Sequence, residues 1–231
     1  MLRVCGFDRR FGQGWIRFDV LQKMITHLEA PLFYRYDIGL RFEIGPDDQD
    51  TFLDRDKDCE LLNHSYFEEA IRRATQIYHS TFLDQSALTL TLQSISDGRQ
   101  RIPNSDKVMR RIIPLAISDI RRSKRHDIYD THKGYPYWNQ LEVDVETKNL
   151  PIDYIFNLIA YSDFGSGFHR YCFFSSLDKS IALNFYDDRG LDVVASNREL
   201  IQNLYEDYNS WILDYDRSRM DEVFSDTVIL K

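Results

Sequence analysis

The sequence predicts an α+β fold: a mainly antiparallel sheet with helices packed against it, in a single domain. Three observations carry that expectation. Several segments alternate apolar and polar residues with a period of two, the mark of half-buried strands. Others repeat apolar residues at helical spacing. The two kinds do not alternate as regular β-α-β units, which argues against a parallel sheet.

Residues 181–196 form the clearest unit. Ile181, Leu183 and Phe185 alternate with Ala182, Asn184 and Tyr186, and Asp187-Asp188-Arg189-Gly190 is a turn. Gly190 suits a position where φ must be positive. Residues 191–195 return as a second strand, and Ser196 or Asn197 caps a helical pattern over 197–225, with a break near 214–218.

The remaining elements follow in chain order. Residues 1–30 read as an N-terminal extension, glycine-bearing up to Gly14, then helical over 15–28; residues 31–231 read as the α+β domain. Strict alternation from Tyr36 predicts a strand to Gly45. Residues 46–60, rich in aspartate, predict a surface loop, because Asp competes for backbone hydrogen bonds. The spacing of Phe67, Ala70, Ile71, Ala74, Ile77 and Tyr78 predicts a helix over 65–82, with Ser65 and Glu68 as a capping box. Leu88, Leu90 and Leu92 mark a strand over 87–95. Asp97-Gly98 is a turn toward a strand near Arg101-Ile102. A helix is expected over 105–120, interrupted at Pro114. A strand over 140–146, a helix over 152–162 opened by Pro151 and ended by Gly165 and Gly167, a strand over 169–175 and a turn over 177–180 complete the reading.

Hydrophobic residues make up 43% of the 231 positions, enough for a substantial core, and the net charge is −8. That charge disfavours a general nucleic-acid binder, which needs surplus Lys and Arg. Cys5, Cys59 and Cys172 are scattered and odd in number, which fits a reducing compartment. Met1–Arg10 has no apolar leader segment, and no run approaches 18 apolar residues. A cytoplasmic protein without membrane contact is expected.

Few residues suggest chemistry. Asp187, Asp188, Asp192, Asp214 and Asp216 are a dense carboxylate set that could ligate a hard cation or act as acid and base. Their plain role is a turn and a helix break, with Arg189 and Arg217 as ion-pair partners. His126, His132 and His169 lack zinc-ligand spacing. Ser166, in Gly165-Ser166-Gly167, follows a helix rather than a strand and does not form a nucleophile elbow. Cys172 fits a small buried thiol. No cofactor motif is present. Residues 99–125 carry +7, leaving −15 on the remainder. This stretch reads as helix surface paired with the acidic remainder, with nucleic-acid binding as the sharper alternative.

The runs Tyr186-Asp187-Asp188-Arg189-Gly190-Leu191-Asp192-Val193-Val194-Ala195, Leu204-Tyr205 and Trp211-Ile212-Leu213-Asp214-Tyr215-Asp216-Arg217 resemble a bacterial family known as domain of unknown function 3885. The Tyr36-Asp37-Ile38-Gly39-Leu40-Arg41-Phe42-Glu43-Ile44-Gly45 stretch and the helix from Phe67 to Tyr78 are similar to it as well. The resemblance covers about residues 30 to 225. It implies no established activity. It does imply loci like those of polymorphic toxins, where small acidic proteins serve as immunity factors.

The expectation is therefore a non-enzymatic protein-binding factor of immunity type. Its partner would be a basic toxin domain, met through Asp47, Asp48, Asp50, Asp54, Asp56 and Asp58 and the aromatics Tyr135, Tyr137 and Trp138. The alternative is a metal-dependent hydrolase built on the five motif carboxylates.

Overall fold

The computed structural model describes residues 28–54, 61–96, 109–113, 120–126, 128, 137–176 and 178–225. Nine strands lie among them: β1 (Gly39–Glu43), β2 (Phe52–Asp54), β3 (Leu61–Leu62), β4 (Ala87–Ser96), β5 (Arg121–Arg125), β6 (Tyr137–Glu146), β7 (Tyr171–Ser176), β8 (Ile181–Asp187) and β9 (Gly190–Ala195). The helices are α1 (His64–Thr81), α2 (Ile152–Ala160), α3 (Gln202–Asp207) and α4 (Arg217–Phe224), with short 3₁₀ turns between. Seven strands form one antiparallel sheet in the order β1-β9-β8-β7-β4-β6-β5; β2 and β3 pair separately. The fold is α+β, as expected.

Period-two patterning decides which side chains meet. Leu40, Leu191, Leu183, Phe174, Leu92 and Leu141 share one face, where they build the core with Phe67, Tyr78, Ile155 and Phe156 of α1 and α2. Phe67 is fully buried and stacks on Tyr161 with centroids 4.2 Å apart. The opposite face is mixed. Cross-strand register aligns Arg41, Asp192, Asn184, Phe173, Thr91, Glu142 and Arg121 in a single row. Apolar cover on this face comes from Leu28, Ala30 and Leu32, packed on Phe173, Ala182 and Val194.

Several local expectations change. The two-residue turn Asp188-Arg189 needs no positive φ at Gly190. Gly190 matters because a Cβ there would run into the Tyr186 ring and hydroxyl. The Ser65–Glu68 capping box does not form: Asn63 is the N-cap of α1 and its side chain instead donates to the Asp50 carbonyl at 2.9 Å. The 46–60 loop contains β2, because Phe52 alternates inward to meet Phe164. Arg121–Arg125 is an edge strand rather than helix surface; Arg121 pairs with Asp144 at 2.6 Å. Charged edges of this kind discourage strand addition. The 197–225 pattern breaks into α3, α4 and 3₁₀ turns as the chain bends to seal the β1 edge. There Phe42 bridges Ile212, and Leu213 N–H donates to the Arg41 carbonyl at 3.0 Å. Gly165 and Gly167 end the α2 region with positive φ. The 15–28 helix, all but its last residue, and the 97–102 turn and strand lie outside the described residues, as does most of the 105–120 helix.

Candidate functional site

The two motif-bearing stretches, 36–45 and 186–217, meet at the β1 corner of the sheet. Arg41 is the hub. It sits in the polar phase of β1, directly opposite Asp192 on β9. Its Nε donates to Asp192 Oδ1 at 2.9 Å, and Nη1 lies 3.5 Å from Asp216 Oδ2. The backbone N–H of Phe33 donates to Asp192 Oδ2 at 3.1 Å, and the Tyr34 hydroxyl donates to Asp216 Oδ2 at 2.8 Å. The guanidinium lies over the Tyr34 ring at 4.6 Å and near those of Tyr186 and Phe33. Arg219 covers the Phe33 ring at 4.6 Å and donates to the Tyr36 carbonyl.

Electrostatics follow from that burial. Asp192 is 0% exposed. Burial pushes its carboxyl upward, while Arg41 and the Phe33 N–H hold it down. Burial opposes the charge on Arg41, yet Asp192, Tyr186 and Tyr34 raise its pKa above the ordinary arginine value. Arg41 and Asp192 are a charge pair with matched hydrogen bonds, which is what a buried pair requires.

The hairpin turn builds the second half of the corner. Arg189 folds back on Asp187, with the backbone N–H donating to Oδ1 at 2.9 Å and the guanidinium to Oδ2. Asp188 is buried; burial and Asp187 raise its pKa, and the Tyr66 hydroxyl bonded to it opposes that rise. Ile44 N–H donates to the Arg189 carbonyl at 2.9 Å, tying the end of β1 to this turn. Gly45 then passes so close to the Tyr66 hydroxyl that a Cβ would collide with it. Beside it opens a cleft of about 260 Å³, lined by Glu43, Asp47, Gln49, Asp50, Tyr66 and Arg189 among others. Burial, then the like charges of Asp47 and Asp214, raise the Glu43 pKa.

Four of the five motif carboxylates are thus divided among arginines, and Asp188 is bonded to the Tyr66 hydroxyl. Asp192 and Asp216 serve Arg41, Asp187 serves Arg189, and Asp214 pairs with Arg217 at 2.8 Å. Arg217 also donates to Asn209 Oδ1 and to the carbonyls of Asn209 and Ile212, stapling that segment. Among the described residues, no group of three or more His, Cys, Asp or Glu is arranged to hold a metal ion. Ser166 Oγ donates to the Leu158 carbonyl at 2.7 Å and accepts the Phe168 N–H, a structural role. His126 and His169 are exposed, and Cys172 is buried with its thiol pKa raised.

The expected partner-binding residues are spread out. Asp47, Asp48 and Asp50 are exposed on the loop beside the cleft. Asp54 ends β2. Asp56, Asp58, Tyr135 and His132 lie outside the described residues. Tyr137 and Trp138 are half-buried in β6, where Lys124 and His126 lie against Tyr137 and Tyr171 lies against Trp138. Sequence reading missed Arg41, Glu43, Tyr34 and Tyr66. Two signals were present: an aspartate inside the apolar run Leu191–Ala195, and a lone arginine in the polar phase of β1. A charge in mid-strand calls for a partner.

A search of curated proteins and of solved structures finds no match. The family model described as "Domain of unknown function (DUF3885)" matches residues 18–216, which takes in Arg41, the hairpin and Asp216. The chain belongs to the DUF3885 family.

Proposed function

We propose that this chain is a cytoplasmic, bacterial, non-enzymatic protein-binding factor of toxin-immunity type. It meets a basic partner through the acidic loop and cleft beside β1. One observation carries this reading: four of the five motif carboxylates are paired with arginines of this chain, while Glu43, Asp47 and Asp50 line an open cleft with no cation paired to them among the described residues. Like charges gathered at a concave surface favour a positively charged partner and speed its approach. No described helix is long and apolar enough to cross a membrane.

The test is reconstitution. A partner captured from the native cell is purified separately and titrated against this protein by calorimetry. A one-to-one complex with a basic protein, weakened by Asp47→Lys/Asp50→Lys, supports the reading. Absence of any reconstituted complex refutes it. The metal-dependent hydrolase makes an opposite prediction, saturable binding of Mn²⁺ or Mg²⁺ lost in Asp187→Asn. The ion pairing of these carboxylates speaks against that outcome.

A further inference from the structure

An aromatic side chain fully displayed on a rigid segment is unusual, because nothing in the fold benefits from it. Tyr215 is 85% exposed. Every neighbour of it is tied down. Leu213 N–H is bonded to the β1 edge, Asp214 to Arg217, and Asp216 to Tyr34 and Arg41. Arg217 holds the approach through Asn209 and Ile212. The ring is therefore presented with little backbone entropy left to lose on contact, a favourable property for an interface anchor. Tyr34, 47% exposed, stands over Arg41 on the same corner.

The charges flanking Tyr215 are paired, Asp214 with Arg217 and Asp216 with Arg41, and the carboxylates with no cation paired to them among the described residues lie toward the cleft. Asp214 is close enough to Glu43 to influence its ionisation, as is Asp47. Glu43 in turn opens onto the cleft lined by Asp47, Asp50 and Arg189. The Arg189 guanidinium is already bound to Asp187 and does not neutralise the others.

We propose that the β1 corner is a docking surface for a basic protein segment, with a lysine or arginine entering the cleft beside Glu43 and Asp47 and an adjacent residue packing on the Tyr215 ring. The inference rests on the protein-binding reading and gives it an anchor, at residues the loop-based expectation did not include. The aromatic ring supplies contact area, and the carboxylates select a cation over an anion.

The experiment titrates fluorescein-labelled octalysine, with octaglutamate as comparison, into the intact protein by anisotropy, and maps amide shifts on ¹⁵N-labelled protein. Expected are binding of octalysine only, shifts concentrated at 43–51 and 213–217, and affinity reduced about tenfold by Tyr215→Ala and by Glu43→Gln. Asp153→Asn, on the exposed first turn of α2, should leave it within about twofold. No octalysine binding, shifts spread over the acidic surface generally, or both corner variants within twofold of wild type overturn the proposal. The two readings fail separately. Octalysine mapped to this corner with no reconstituted partner would sink the protein-binding function and sustain the corner. A reconstituted partner insensitive to both variants would do the reverse.

Discussion

Replacing Arg41 by methionine tests whether the corner is held by its buried pair. Arg41 is 12% exposed in its side chain and Asp192 is 0% exposed. The substitution keeps most of the aliphatic stem but leaves the Asp192 carboxylate, among the described residues, with only the Phe33 N–H. Removing one member of a buried pair costs about 3–5 kcal/mol, because the other charge stays desolvated. For a domain of this size that lowers the melting temperature by roughly 6–20 °C. Urea unfolding at pH 7, with melting curves beside it, measures the deficit. The sign of its pH dependence is set by Asp192. Burial already pushes its folded-state pKa up, and losing Arg41 removes an opposing influence. The native state then favours the protonated acid. The penalty is full above the folded-state pKa and shrinks as pH falls toward the unfolded carboxylate value, so the deficit of Arg41→Met narrows on acidification. The double variant Arg41→Met/Asp192→Leu removes both charges and should recover at least half of the loss. A single-variant deficit below about 1 kcal/mol, or a double variant equal to the sum of the singles, would refute the hub.

Three other variants probe separate features. Tyr78 is fully enclosed and its hydroxyl has no hydrogen-bond partner among the described residues. Tyr78→Phe should leave urea-unfolding stability unchanged or raise it by up to about 1–3 kcal/mol, and a clear loss would show that the hydroxyl is satisfied. Hydrogen bonds from Arg72 and Arg73 hold the Glu69 carboxyl at about 2, below its ordinary 4.5. Glu69→Gln should cost under about 1 kcal/mol at pH 7, since the site is partly exposed. Because the folded pKa is depressed, that difference is present above about pH 4.5 and disappears toward pH 2; a difference that is constant with pH would contradict the ion-pair assignment. Gly190→Ala should cost about 1–3 kcal/mol through displacement of Tyr186, read as a lower melting temperature, and a neutral result would mean the ring has room to move.

The family resemblance, the α+β class and the 181–195 hairpin were all legible in the sequence, as were α1 and strands β4, β6 and β7. Each rests on a local period of apolar residues, and that period is written residue by residue. Local reading went wrong where a remote contact decides the outcome. Arg121–Arg125 looks like polar surface, and only pairing with β6 makes it a strand. The 197–225 pattern looks like a long helix with one break near 214–218, yet bridging Ile212 to Phe42 and bonding Leu213 to Arg41 goes with a chain bent into several short pieces. Asp187, Asp188, Asp192, Asp214 and Asp216 read as one chemical cluster because they crowd together along the chain. By itself the sequence determined the apolar core faces of the strongly periodic elements, because those faces follow from short-range periodicity. The tertiary structure alone decided which charges are spent and which remain available. Arg41 reaches Asp192 across 151 residues and Asp216 across 175, and the partner of a charge is a matter of distance in space, which no spacing along the chain encodes.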